Sequence, residues 1–131
     1  MFVRGQNSGG EKQGTSIWTN PYSPTGTSAW TSTQAAITQS LSRGLSNFTE
    51  IKLRYRVKTT DATEMYVKVD PATLGSSNTR FLFGGNDVGV GVMARFFTWA
   101  SDTTFTLSIA NQLNGTRTDD TAFIPLEIIG Y

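Results

Sequence analysis

The stretch Glu50-Ile51-Lys52-Leu53-Arg54-Tyr55-Arg56-Val57-Lys58 decides the fold class. Ile51, Leu53, Tyr55 and Val57 fall on one face, and Lys52, Arg54, Arg56 and Lys58 on the other. Successive side chains of an extended chain point to opposite sides, so this alternation describes a strand with one face on a core and the other in water. A second alternating run follows after Thr59-Thr60-Asp61-Ala62-Thr63, with Met65, Val67 and Val69 set against Glu64, Tyr66, Lys68 and Asp70. The connection is short enough for a hairpin. Pairing Lys58 with Glu64 places Lys52 opposite Asp70, Arg56 opposite Tyr66 and Arg54 opposite Lys68. The two opposite-charge pairs and the Arg56–Tyr66 contact contribute a few tenths to about 1 kcal/mol each, and the Arg54–Lys68 pairing opposes them.

Outward from this hairpin, the same pattern recurs between turn-forming clusters. Later strands are expected over 80–83, 91–100, 104–112 and 122–129, and earlier ones over 16–19 and 29–39. In 104–112, Phe105, Leu107 and Ile109 share one face and Thr104, Thr106, Ser108 and Ala110 the other. Gly84-Gly85-Asn86-Asp87, Ala100-Ser101-Asp102 and Asn114-Gly115 supply turns. Helical periodicity is weak, and the Thr and Ser crowding of 33–45 favours extended chain. Seven or eight strands in 131 residues read as a single antiparallel β-sandwich, jelly-roll or related Greek-key, spanning 16–131 behind a glycine-rich flexible lead-in over 1–15. Sandwich edges need cover, and the apolar C-terminal strand ending at Tyr131 is a candidate subunit contact.

Composition bears on function by exclusion. The chain has no Cys and no His, which removes thiol and Ser-His-Asp catalysis, thiolate metal sites and histidine metal ligation. No cofactor is expected. Hydrophobic residues are 37 % and charged residues 16 %, enough apolar mass for one core and too little charge for a disordered chain. The net charge of +1 offers no broad field for nucleic acid, and no apolar run is long enough to cross a membrane as a helix. The basic stripe Lys52, Arg54, Arg56, Lys58 has two readings, a surface for a phosphorylated polymer or a solvated strand face. The overall charge balance and the neighbouring Glu64 and Asp70 favour the second.

The ten carboxylates fall mostly in turns or beside cations, so a facing catalytic pair is not expected. Asp119-Asp120, following Asn114, is a weak candidate for a calcium loop because its spacing is not that of an EF-hand. Gly84-Gly85-Asn86-Asp87-Val88-Gly89-Val90-Gly91 lacks the Lys-Ser/Thr of a phosphate loop and reads as a turn or bulge. Phe81, Phe83, Phe96, Phe97, Phe105 and Phe123 are expected in the core. Trp18, Tyr22 and Trp30 flank the loop Asn20-Pro21-Tyr22-Ser23-Pro24-Thr25-Gly26, and Trp99 ends a strand beside Ser101 and Asp102. These four are the candidate ligand-binding residues, since an aromatic face matches the apolar face of a pyranose. Two of the four are expected to be core instead, and the sequence does not distinguish which.

Three stretches, taken in order, carry a resemblance: Ile17-Trp18-Thr19-Asn20-Pro21-Tyr22-Ser23-Pro24-Thr25, Phe48-Thr49-Glu50-Ile51-Lys52-Leu53-Arg54-Tyr55-Arg56, and Ile124-Pro125-Leu126-Glu127-Ile128-Ile129-Gly130-Tyr131. Over 16–131 the chain resembles C-terminal head domains of tail-fibre, baseplate or minor structural proteins of tailed phages and prophages. The resemblance implies a non-catalytic β-sandwich in a virion tail or baseplate, homotrimeric, contacting other virion proteins and a bacterial surface saccharide. It transfers no catalytic residue, metal or nucleic-acid partner. Such heads commonly follow a coiled or collagen-like shaft, and none is present in these residues. The chain is then either a fragment of a longer fibre or a short virion protein, and the second favours a capsid decoration or baseplate adaptor role. An enzyme acting on wall polymer is the least favoured reading, because only carboxylates, Tyr and Lys remain for proton transfer.

Overall fold

The computed structural model describes residues 13–71, 79–87 and 91–131 and forms an all-β sandwich, as the alternation predicts. Residues 1–12 of the expected lead-in and Val88, Gly89 and Val90 of the glycine-rich stretch lie outside the described residues, as does the side chain of Phe81. Ten strands occur in chain order: β1 (Thr15–Thr19), β2 (Gln39–Ser40), β3 (Ile51–Lys58), β4 (Asp61–Val69), β5 (Thr79–Asp87), β6 (Gly91–Trp99), β7 (Thr104–Leu107), β8 (Ala110–Gln112), β9 (Thr118–Asp119) and β10 (Ala122–Gly130). One sheet has the order β1-β10-β3-β4. In the other, β6 pairs with β5 along one edge and with β7 and β8 along the other, while β2 and β9 extend β7 and β8 respectively.

Ile51, Leu53 and Tyr55 are buried on the inner face of β3. The β3–β4 register, however, runs two residues from the expected one: Lys58 pairs with Asp61, Arg56 with Glu64, Arg54 with Tyr66 and Lys52 with Lys68. The loop is a two-residue turn at Thr59-Thr60, and an irregularity between Arg56 and Lys58 absorbs the odd residue. A shift of two leaves every side chain on its original face.

Two further expectations change. The segment 29–39 is not a strand; it carries a single helical turn α1 (Ser32–Ala35), held because Gln34 Oε1 accepts from the Thr31 amide at 2.9 Å and from the Thr31 hydroxyl. The expected strand 104–112 splits at Ser108-Ile109. There the Ser108 hydroxyl accepts from the Phe96 amide at 2.8 Å, standing in for a ladder carbonyl, and the Ser108 carbonyl turns to Arg95. The break reverses the facing: Phe105, Leu107 and Ala110 are buried, whereas Ile109 is half-buried.

β10 is an interior strand of its sheet, paired with β3 on one edge and, over Glu127–Gly130, with β1 on the other. Pro125 has no N–H and is tolerated at a register break between Pro125 and Glu127. Phe123 holds a positive φ of 52° so that its ring enters the core 6.2 Å from Tyr55. Such a conformation costs about 1–3 kcal/mol and is held by the packing around it.

A candidate binding groove on the outer sheet face

The four candidate aromatics divide three to one. Trp18, Trp30 and Trp99 are 6 %, 0 % and 1 % exposed, and Tyr22 is 40 % exposed. The three Trp belong to one internal aromatic cluster: Trp18 meets Trp30 edge-on at 6.1 Å and Phe105 at 5.4 Å, and Trp99 packs on Phe105 at 4.8 Å. The indole N–H groups of Trp18 and Trp30 are consumed internally, donating to Gln39 Oε1 at 3.3 Å and to the Leu107 carbonyl at 2.9 Å. Expectation therefore gives way at Trp18, Trp30 and Trp99, whose rings have no open face for a sugar. Tyr22 alone keeps one, with its edge on Trp30 at 5.6 Å.

The loop around Tyr22 is organised by Asn20, which is fully buried. Its Nδ2 donates to the Pro125 carbonyl at 2.7 Å, and its Oδ1 accepts from the Tyr22 and Ser23 amides at 2.9 and 3.0 Å. Ser23 Oγ continues the turn by accepting from the Ser28 amide at 2.9 Å. The three stretches that carry the resemblance therefore meet in one place. The first hooks onto the third through Asn20 and Pro125, and the second flanks the third as β3 beside β10. A Cβ on Gly130 would lie 2.5 Å from Phe48 Cδ1, so the final glycine is required by that ring. These stretches build the frame of one sheet.

The basic stripe is occupied by its own neighbours. Arg54 bonds Glu64 at 2.6 Å and Glu127 at 3.2 Å, and Lys58 bonds Asp119 at 2.9 Å. Arg56 donates to the Lys58 and Thr25 carbonyls at 3.1 Å each, and Lys52 sits over the Tyr131 ring at 5.0 Å. This is the solvated-face arrangement.

Several of the carboxylates are likewise engaged structurally. Asp102 accepts from the Ser46 amide at 2.9 Å and its hydroxyl at 2.8 Å, holding the turn Leu45–Asn47. Asp61 is held below the usual carboxylate range by the Thr63 amide and hydroxyl. Among the described residues no cluster of three acidic side chains is placed to hold a metal ion, and the Asp119 carboxylate is committed to Lys58 and Thr121.

Burial pushes the Asp119 carboxyl up, but the Thr121 hydroxyl, Lys58 and the Thr121 amide outweigh it and bring it down to about 2. The unfolded-chain value is about 3.9, so this contribution is present above about pH 4 and is lost as pH falls through about 2. In urea titrations, Asp119→Asn is expected to cost about 1 kcal/mol above pH 4, after allowance for solvent screening. Its difference from the parent chain is expected to close between pH 4 and pH 2.

Among the described residues, one concavity is a candidate for a ligand. It lies on the outer face of the β5–β9 sheet, encloses about 530 Å³, and is bounded on one side by α1 through Ser32, Ala35 and Ala36. β6 supplies Phe96 and Thr98, and the opposing strand supplies Thr106, Ser108 and Asn111. Among the described residues the lining is uncharged. The volume is in the range of small-molecule sites, about 300–1,000 Å³. Sequence reasoning missed this site by assigning both Phe96 and Phe97 to the core. Consecutive strand residues face opposite ways, and Phe97 is the buried one. The paired phenylalanines were the available signal. Neither a family model nor a curated protein matches the chain.

Proposed function

We propose that this chain is a non-catalytic adhesion module that binds a neutral saccharide of a bacterial surface, as its resemblance to phage tail-fibre heads implies. The observation that carries the reading is the groove, whose lining combines Phe96 with the hydroxyl residues Ser32, Thr98 and Thr106 and the amide residue Asn111. An aromatic ring supplies apolar contact to the C–H face of a sugar, and convergent hydroxyls and amides supply its hydrogen bonds.

The expected result is binding of neutral glycans on an array, confirmed by titration calorimetry. Phe96→Ala is expected to weaken binding about tenfold or more through lost ring contact. Thr106→Ala should weaken it less, and both variants should keep the parent's circular dichroism and melting profile. Absence of binding to any glycan or bacterial cell, or binding indifferent to Phe96, overturns the reading.

The alternative is a structural virion role without a glycan ligand. It draws on the apolar side chains of Leu82, Val92 and Leu113, which are about half exposed. Binding to purified capsid or baseplate but not to cells would favour it.

A further inference from the structure

β4 (Asp61–Val69) is hydrogen-bonded on one side only among the described residues, by β3. Its register is regular from Glu64 to Val69. Both faces are open: Met65 is 47 % and Tyr66 56 % exposed, although Met65 and Val67 point to the core side of the sheet. On that side the two sheets diverge around a groove of about 270 Å³, with Val67 and Tyr55 on one wall and Leu82, Phe83 and Val92 on the other. Natural edges are protected by charge, bulges or proline. Between Glu64 and Val69 the one cation is Lys68, whose side chain is 69 % exposed and whose contact with Glu50 is 4.0 Å long.

We propose that β4 pairs antiparallel with β4 of a second copy about a two-fold axis at Tyr66, joining two four-stranded sheets into one of eight, in place of the homotrimer that the resemblance implies. A two-fold axis between antiparallel strands stands normal to the sheet, so each register is centred on one residue. The charge pattern selects among them. Centring on Glu64 opposes two carboxylates, and centring on Lys68 opposes two ammonium groups. Centring on Val67 sets Glu64 against Asp70, centring on Met65 leaves both Glu64 and Lys68 without an opposite charge, and centring on Val69 pairs Lys68 with Asp70 but runs past the end of the strand. Centring on Tyr66 sets Glu64 opposite Lys68 twice and Tyr66 opposite Tyr66 on the outer face. On the core side it sets Met65 opposite Val67 twice, so each thioether covers the rim of the other copy's apolar groove. Glu64 keeps its 2.6 Å bond to Arg54 in this arrangement and gains the second cation beside it. The pairing is independent of the saccharide groove, which lies on the other sheet.

Sedimentation velocity across micromolar to submillimolar concentrations tests this on the full chain. The parent is expected to form a dimer. Lys68→Glu and Glu64→Lys should each weaken it about tenfold or more, because two attractive cross-strand pairs become repulsive. An equimolar mixture of the two variants restores complementary pairs at both positions and is expected to dimerise as the parent does. This rescue separates the proposed register from any loss of folding. A parent that stays monomeric throughout the range or forms trimers, a dimer indifferent to Lys68→Glu, or a mixture that fails to associate would each overturn the proposal.

Discussion

Replacing Arg95 with methionine is expected to remove about 3–5 kcal/mol of stability, a large part of the roughly 5–15 kcal/mol of an ordinary domain. Arg95 is fully buried on the inner face of β6. Its guanidinium donates to four backbone carbonyls: Nε to Ala122 at 2.9 Å, one terminal nitrogen to Trp30 and Ser108 at 3.1 Å each, and the other to Asp120 at 3.1 Å. Burial pushes its pKa down to about 9, with Asp119 and Asp120 opposing the shift, so the group remains a cation and a full donor at neutral pH. These four carbonyls belong to the segment entering α1, the break between β7 and β8, and the corner from β9 into β10. None of those segments is bound to the others by a continuous ladder.

Methionine approximates the volume of the arginine stem but donates nothing, and each buried acceptor left unpaired costs about 1–3 kcal/mol before relaxation. Asp120 is partly spared, because its carbonyl also accepts from the Trp30 amide at 2.9 Å. Arg95→Lys keeps the charge but concentrates its donors at one point, so it is expected to cost about 2–3 kcal/mol. Urea unfolding followed by tryptophan fluorescence measures both. A methionine variant within 1 kcal/mol of the parent would show that the guanidinium is dispensable.

The second large effect is expected at Asn20. Asn20→Ala leaves the Pro125 carbonyl and the Tyr22 and Ser23 amides unpaired in a closed site, a loss of about 2–4 kcal/mol. Asn20→Asp is the sharper probe, because it keeps the shape and the acceptor. It replaces the donor facing Pro125 with a carboxylate oxygen, so at neutral pH it is expected to destabilise at least as much as alanine. Thermal unfolding at pH 7 and in acid separates the two, since protonation restores a donor to the aspartate and nothing to the alanine. Equal melting temperatures for the parent and Asn20→Asp at neutral pH would remove the anchoring role. The same residue explains why the Asn-Pro-Tyr-Ser-Pro stretch and the Ile-Pro-Leu stretch occur together: their side chain and carbonyl are bonding partners across 105 positions of sequence.

The sequence by itself determined the class of fold and the facing of β3 and β4, because an extended chain alternates its side chains with a period of two and local composition records that period. It also determined, through the absence of Cys and His, which chemistries are unavailable. Only the tertiary structure decided the β3–β4 register, because a two-residue slip changes every cross-strand partner without turning any side chain over. The change of face at Ser108 escaped the alternation because a hydroxyl there replaces a backbone acceptor on Phe96 of the neighbouring strand. Composition alone made Trp18, Trp30 and Trp99 equal candidates with Tyr22. The fold buried the first three because β2, β7 and β6 close around them, and ring burial depends on neighbours distant in the chain. Arg95 was unreadable for the same reason. A charge inside a β-sandwich is tolerable only where unpaired carbonyls converge, and these four come from segments that meet nowhere but in the folded chain.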